Sequence, residues 1–199
     1  MHYQTMFWDA DGVILKRPRL FSEQLAIDYG IEMEKLQPFF TGVFKQCKVG
    51  KADLKEELTN VIGEWSWKGT VEELMEYWFT TCTELDHDVA NFITSLRQHS
   101  IRCVMTTDNE AYRGAHLAAT LGNGKLFDDV FYSGALGVTK KDPMFFTLVY
   151  QALNAQQHVE KSKILCIDND EKNIETARAL GFATHLYTNL ESLKKFLAE

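Results

Sequence analysis

Apolar and polar positions follow two different periods along most of the chain. Short runs rich in β-branched and aromatic residues are predicted as strands, over residues 4–8, 101–106, 130–133, 163–167 and 183–187. Segments with apolar residues at every third or fourth position are predicted as helices, over residues 88–99, 111–121, 143–154 and 173–180. Strands that alternate with helices are typical of a parallel sheet flanked by helices. The expected fold class is therefore α/β, with the functional site beyond the carboxyl ends of the strands.

Local signals mark the ends of several helices. Asp142 followed by Pro143 suits a helix start, because proline is favoured at the first helical position. Gly181 is placed to follow the last residue of a helix. The Gly-Asn-Gly-Lys run at residues 122–125 fits neither of the common phosphate-loop patterns, so it is predicted to be a turn that ends a helix.

A helical segment follows the first strand. Residues 17–84 contain no strand-like run, and apolar residues repeat at helical spacing through 54–62 and 71–85. Thr70, with Glu73 three positions later, has the sequence of a capping box. We expect a separate all-helical subdomain whose Trp and Phe side chains form its core.

The composition of the chain favours a folded protein and argues against some classes of binding partner. The chain has 199 residues, of which 45% are hydrophobic and only 3 are Pro, which favours a folded globular protein over a disordered one. The 21 Lys and Arg and 28 Asp and Glu give a net charge of −7, spread along the chain, which argues against nucleic acid or a membrane as a partner. No apolar run approaches the ~18 residues of a membrane span.

The first residues lack a secretory leader pattern and Cys103 and Cys166 lie in apolar runs, so we expect a cytoplasmic location with buried reduced thiols. No oligomeric state is predicted.

Two acidic residues follow the first predicted strand. In an extended chain, Asp9 and Asp11 would point to the same face, at the sheet edge where ligands bind. Two carboxylates so close are expected to have pKa values pushed apart, so that one is ionised and the other can hold a proton. Such a pair suits a nucleophile and a general acid, although an Asp-Gly turn that only ends a strand contains the same residues.

Three further groups lie just after predicted strands or before a helix. Thr106 and Thr107 offer hydroxyl groups to an anion, Lys140 offers a cation to a phosphate, and Asp168 offers another carboxylate. Taken singly, Thr106 could be a helix cap, Lys140 a solvated charge and Asp168 an N-cap. Together at one sheet edge, these groups predict a site for a divalent cation and a phosphoryl group.

These motifs resemble those of the haloacid dehalogenase (HAD) superfamily of hydrolases. The first motif, D-x-D-G-[VT], matches residues 9–13, and the Ser or Thr of the second matches Thr106. The third, commonly K-P-D-P-x-x-F, matches residues 140–146 with Lys141 in place of proline, and the fourth begins at Asp168. The resemblance implies a Rossmann-like parallel sheet flanked by helices as the HAD-like core, formed by residues 1–16 and 85–199. Residues 17–84 would be the small α-helical cap inserted after the first strand.

The resemblance also implies an activity. Family members of this type are Mg²⁺-dependent phosphatases of small phosphorylated metabolites that form an aspartyl phosphate. Asp9 would be the nucleophile, Asp11 the general acid and base, and Thr106, Thr107 and Lys140 would bind the phosphoryl oxygens.

The implied metal ligands are Asp9, Asp11, Asp168 and Asn169. The fourth motif departs from the family pattern, because Asn169 and Asn173 stand where the second carboxylate is usually found. An amide oxygen can bind Mg²⁺ but brings no charge, and Mg²⁺ often binds only one or two protein carboxylates.

Other functions remain open, both other HAD-type reactions and a role without catalysis. Asp11 favours phosphoryl transfer over dehalogenation, since a halide leaves without a proton. A phosphomutase or another HAD-type hydrolase would use the same residues. A catalytically weakened member that serves as a binding or regulatory protein is the alternative from a different class.

Overall fold

The computed structural model describes residues 2–16 and 19–199. In this part of the chain, five parallel strands form one sheet in the order β3-β2-β1-β4-β5, with β1 at its centre. The strands are β1 (Thr5–Trp8), β2 (Arg102–Thr107), β3 (Asp129–Tyr132), β4 (Ile164–Asp168) and β5 (Ala183–Leu186). The five predicted strands and the α/β fold class are confirmed, and the ends of the strands differ from the prediction by one residue at most.

Helices fill the segment between β1 and β2, as predicted. The first five are α1 (Phe21–Tyr29), α2 (Met33–Thr41), α3 (Phe44–Cys47), α4 (Leu54–Val61) and α5 (Val71–Thr81), and we call them the helical insertion. They pack around a hydrophobic cluster of their own, in which the rings of Phe21 and Trp78 stack with centroids 4.4 Å apart. The predicted capping box at the start of α5 is present, since Thr70 and Glu73 bond each other's backbone N–H.

The remaining helices follow or connect the other strands. They are α6 (His87–Gln98), α7 (Ala111–Leu121), α8 (Ser133–Leu136), α9 (Pro143–Gln156), α10 (Glu171–Ala179) and α11 (Leu190–Ala198). The sequence prediction missed α8, which is too short to show a helical period, and extended the third strand into its first residue, Ser133. It also missed α11, although Asn189 caps this helix and apolar residues follow at helical spacing. Among the described residues, no helix has the length and apolar content needed to cross a membrane.

The predicted helix ends are confirmed. Asp142 caps α9 and its carboxylate accepts a hydrogen bond from the backbone N–H of Met144, with Pro143 at the first helical position. Gly122 ends α7. Gly181 follows the end of α10 with a φ of +89°, a conformation that favours glycine.

Both faces of the sheet are covered, as expected for parallel strands. Along β1, Met6 and Trp8 belong to the hydrophobic cluster that includes residues of α6 and α11, whereas Phe7 belongs to the cluster that includes residues of α9. The predicted thiols Cys103 and Cys166 are buried on these two opposite faces. Because both faces are closed, the edge at the carboxyl ends of the strands is the place left for polar chemistry.

The two connections between the helical insertion and the sheet run side by side. The backbone N–H of Lys16 donates to the carbonyl of Glu84 at 2.8 Å, and that of Asp86 donates to the carbonyl of Ile14 at 2.9 Å. The division of the chain into a core and a cap stays a prediction, and its first boundary falls on Arg17, which lies outside the described residues.

The cluster inside the helical insertion generates a stability prediction. Leu25 and Ile27 lie on α1, where Leu25 is fully buried and Ile27 is 62% exposed. Leu25→Ala should lower the free energy of unfolding by about 2–5 kcal/mol because it leaves a cavity, whereas Ile27→Ala should change it by less than about 1 kcal/mol. Urea denaturation of both variants checks this, and equal losses would contradict the packing described.

Candidate active site

The strands around β1 bring the motif residues to one edge of the sheet. Asp9 follows β1, and its backbone N–H donates to the carbonyl of Ile167 in β4 at 3.0 Å. Asp168 ends β4, and Thr106 and Thr107 end β2 on the other side of β1. The sequence-based expectation that these groups meet at the carboxyl ends of neighbouring strands therefore agrees with the topology.

A buried ammonium group connects the two strand-end carboxylates. The Nζ of Lys140 donates to Oδ2 of Asp168 at 2.6 Å and also to Oδ1 of Asp9. Lys140 is only 1% exposed, and its backbone N–H donates to Oδ1 of Asp108 at 2.9 Å. The alternative interpretation of Lys140 as a solvated charge is therefore wrong. It is a counter-ion for two buried acids.

Burial is the main influence on the charges of this cluster. It raises the pKa of Asp9, because removal from water disfavours the carboxylate, while the attraction of Lys140 opposes this shift. Repulsion from Asp168 adds to the rise, and repulsion from Asp11 contributes less than any of these. For Lys140, burial alone would lower the pKa, but the attraction of Asp9 and Asp168 holds it above its ordinary value. The expected repulsion between Asp9 and Asp11 is thus present but is a minor influence on the pKa of Asp9.

Asp168 is fixed by hydrogen bonds from the start of α10. The Nδ2 of Asn173 lies 3.2 Å from each carboxylate oxygen of Asp168, and the backbone N–H of Asp170 donates to Oδ1 at 2.8 Å. The Oδ1 of Asn173 is buried without a hydrogen-bond partner among the described residues. A buried acceptor oxygen of this kind costs free energy unless a ligand or water satisfies it.

Asp11 faces a different cation. Its carboxylate forms a two-pronged ion pair with the guanidinium of Arg113, with Nη1 to Oδ2 at 2.8 Å and Nη2 to Oδ1 at 2.7 Å. Arg113 is 4% exposed and also donates to the carbonyl of Cys82, just past α5, at 2.8 Å. Since β1 ends at Trp8, the alternation of a strand does not extend to Asp11. Asp9 is paired with Lys140, whereas Asp11 is paired with Arg113.

Gly12 and Asn169 fit closely together beside this pair. Gly12 has a φ of +85°, and a Cβ there would lie 2.4 Å from Nδ2 of Asn169. That Nδ2 donates to the backbone carbonyl of Asp11 at 3.1 Å, and the side chain of Asn169 is exposed at the edge of the site. The role of Asn169 as a metal ligand stays a prediction.

The two threonines are buried at the end of β2. The Oγ1 of Thr107 accepts a hydrogen bond from Nδ2 of Asn109 at 2.6 Å, so this hydroxyl is already engaged within the protein. Asn109 also accepts from Arg113, which connects the end of β2 to the partner of Asp11. The assignment of Thr106 and Thr107 to phosphate binding stays a prediction.

A cavity of about 400 Å³ lies between this sheet edge and the helical insertion. Asp11, Asn109 and Arg113 line it from the sheet side. Aromatic residues of the insertion also line it, among them Phe40 and Trp78. The expectation that the aromatic residues form a core is confirmed in part, because some of them also face the cavity.

Comparison with protein families identifies the group to which this fold and motif set belong. A family model described as haloacid dehalogenase-like hydrolase matches residues 3–181. The chain belongs to the haloacid dehalogenase-like hydrolases. The resemblance inferred from the motifs is therefore confirmed.

Individual HAD relatives match nearly the whole chain. The chain is 25% identical over 194 residues to D-ribitol-5-phosphate phosphatase from Bacteroides thetaiotaomicron, covering 91% of this chain and 90% of that protein. A HAD family enzyme from the same bacterium, crystallised with magnesium and inorganic phosphate, is similar in fold with a TM-score of 0.75 at 15% identity, covering 96% and 98% of the two chains. L-2-haloacid dehalogenase from Xanthobacter autotrophicus gives a TM-score of 0.63 at 18% identity, covering 98% of this chain and 82% of that one. These two structures show a common fold.

Sequence reasoning missed Arg113 and Asn109. One signal was available for Arg113, which stands in the first turn of α7. A cation is disfavoured there by the helix dipole, and in this structure the carboxylate of Asp11 compensates its charge.

The buried ion pairs generate a prediction for Lys140. Lys140→Ala should lower the free energy of unfolding by about 3–5 kcal/mol in metal-free buffer, because it leaves two buried carboxylates without their cation. Lys141→Ala is the matched control: its ion pair with Asp170 is largely exposed, so about 1 kcal/mol or less should be lost. Chemical denaturation of both variants measures the difference. Equal stability of Lys140→Ala and wild type would show that the ion pairs are not formed in solution.

Proposed function

We propose that this HAD hydrolase is a magnesium-dependent phosphatase of a small phosphorylated metabolite that forms an aspartyl phosphate on Asp9. The observation that carries the proposal is the buried cluster of Asp9, Asp168 and Lys140 at the sheet edge, with Asp11 two residues along the chain from Asp9. Asp11 lines a cavity whose volume of about 400 Å³ suits a small molecule. The similarity to D-ribitol-5-phosphate phosphatase supports the same reaction class.

The donor atoms at the sheet edge fit Mg²⁺. Asp9 and Asp168 offer buried carboxylates from neighbouring strands, and Oδ1 of Asn173 is a buried acceptor without a partner among the described residues. Among the described residues, no three or more Asp, Glu, His or Cys side chains are grouped so that they could hold a metal ion, so the charged ligands in this proposal are the two carboxylates. This number suits Mg²⁺, which usually completes its shell with water and substrate phosphate. When bound, Mg²⁺ supplies positive charge that offsets the repulsion between nucleophile and phosphoryl oxygens.

Asp9 is the nucleophile in this proposal. One of its carboxylate oxygens forms a bond to phosphorus while the bond from phosphorus to the leaving alkoxide breaks. Lys140 supports this step because its attraction opposes the effect of burial on the pKa of Asp9 and so favours the carboxylate. Its ammonium group also offers a hydrogen-bond donor to a phosphoryl oxygen.

Asp11 transfers the protons. In the first step it gives its proton to the leaving oxygen, and in the second it takes a proton from the water that attacks the aspartyl phosphate. The bond between Asp9 and phosphorus then breaks, which releases inorganic phosphate and restores both acids. The carboxylate of Asp11 is held by Arg113 in the ion pair described above, so Asp11 must leave this contact to reach the substrate.

The two acids should respond differently to substitution. Asp9→Asn should abolish turnover of every phosphate ester, because an amide is not a competent nucleophile. Asp11→Asn should lower kcat for an alkyl phosphate by roughly 10²–10⁴-fold but lower it much less for p-nitrophenyl phosphate, whose leaving group needs little protonation. Steady-state kinetics with both substrates measures this, with the exposed Asp88→Asn as a control that keeps activity. Equal losses on both substrates for Asp11→Asn would contradict the assigned role.

Asn169 provides a test of the metal site. Asn169→Asp should lower the Mg²⁺ concentration that gives half-maximal phosphatase rate, by about tenfold or more, because it adds a negative charge close to a dication. Asn91→Asp adds the same charge on the exposed surface of α6 and should leave the midpoint unchanged. Titration of Mg²⁺ against rate decides the matter. An unchanged midpoint in Asn169→Asp would place this residue outside the metal shell.

A further inference from the structure

The cavity beside the active site is lined by more cations than anions. Its lining includes three lysines and two arginines but only two acids, Asp11 and Asp108. The chain as a whole carries a net charge of −7, so this excess of positive charge is local. A concave surface with one sign of charge and partly apolar walls concentrates its electric field and attracts ligands of opposite charge. The cavity therefore favours an anionic ligand.

Some of these cations already have anionic partners. Arg113 is paired with Asp11, and Lys16 is paired with Glu84 at 2.8 Å. Lys45, Lys48 and Arg19 differ, because none of the ion pairs among the described residues includes any of them. Two ammonium groups in the cavity wall are thus available to a ligand.

These two lysines are placed together by α3. They are three positions apart, with Lys45 inside α3 and Lys48 directly after its last residue, and such a spacing brings side chains onto the same helical face. Lys48 is half-buried, which reduces solvent screening of its charge. Phe40 and Phe44 line the cavity next to them and offer apolar contact to a carbon skeleton.

We propose that Lys45 and Lys48 bind a second anionic group of the substrate, at the end away from the phosphoryl group that is hydrolysed. The substrate class is then a phosphate monoester with an additional carboxylate or a second phosphate. Both groups accept charge-assisted hydrogen bonds from ammonium groups. This inference rests on the proposed phosphatase function, since it concerns the other end of the same substrate.

The kinetic test uses pairs of substrates with the same carbon skeleton. 5-Phosphoribonate differs from ribitol 5-phosphate by a carboxylate in place of a hydroxymethyl group, and ribulose 1,5-bisphosphate differs from ribulose 5-phosphate by a second phosphate. In at least one pair, kcat/KM should be about tenfold or more higher for the doubly anionic member, as expected for one partly desolvated ion pair. The pair that shows the preference identifies which anion the subsite takes.

Variants connect the preference to the two lysines. The double variant Lys45→Ala, Lys48→Ala should reduce the ratio within that pair to near one, through KM, and leave kcat on p-nitrophenyl phosphate unchanged. Lys48→Glu should bring the ratio below one. Lys68→Ala, which removes an exposed lysine of the insertion segment that does not line the cavity, should keep the wild-type ratio.

The outcomes separate this inference from the proposed function. Turnover of p-nitrophenyl phosphate with no preference in either pair, or a preference that survives the double variant, overturns the subsite and leaves the phosphatase proposal standing. If no phosphate ester is hydrolysed, the phosphatase proposal fails, and calorimetric titration with 5-phosphoribonate, ribulose 1,5-bisphosphate and their singly anionic counterparts decides the subsite. Tighter binding of a doubly anionic compound that the double variant loses supports it. Equal binding within both pairs shows that Lys45 and Lys48 are ordinary solvated lysines.

Discussion

The buried ammonium group of Lys140 is the interaction on which the site depends. Two carboxylates on neighbouring parallel strands, Asp9 and Asp168, lie almost entirely out of water, and their mutual repulsion would be costly without a cation between them. The order of the sheet makes this contact possible, because β4 pairs directly with β1 and both strands end at the same edge. The start of α9 is fixed at the same place by the bond from Lys140 to Asp108 and by the Asp142 cap. The arrangement of the candidate site and its local stability therefore depend on the same ion pairs.

A second ion pair links Asp11 to the helical insertion. Arg113 binds Asp11, the side chain of Asn109 and the carbonyl of Cys82, so it joins the loop after β1, the end of β2 and the end of α5. The two chain connections to the insertion also bond each other through Lys16 and Glu84. A displacement of the insertion relative to the sheet would therefore act on Arg113 and, through it, on Asp11. This arrangement couples the position of the cavity wall to Asp11.

The cavity combines the contributions of both parts of the molecule. The sheet edge supplies Asp11, Asp108 and Arg113 to its lining, whereas the insertion supplies aromatic rings and the lysines Lys45 and Lys48. The excess of positive charge in the cavity lining is opposite in sign to the net charge of the whole chain. Aromatic side chains serve the hydrophobic cluster of the insertion on one side and the cavity on the other. The same residues thus stabilise the insertion and shape the cavity.

The sequence by itself determined the five strands, most of the helices other than α8 and α11, one end each of α5, α7 and α9, and the set of motif residues at the strand ends. It could do so because hydrophobic period, caps and turn residues are local properties. Parallel topology was enough to predict that Asp9, Thr106 and Asp168 meet at one edge. Only the tertiary structure decided which charges pair, since the partners are far apart in sequence: Asp11 and Arg113 are separated by 102 positions, and Asp9 and Lys140 by 131. Burial is likewise a property of the folded chain, which is why the pKa of Asp9 depends on its surroundings more than on nearby Asp11. Side-chain partners depend on distances between atoms in the folded chain, and hydrophobic periodicity along the sequence does not determine those distances.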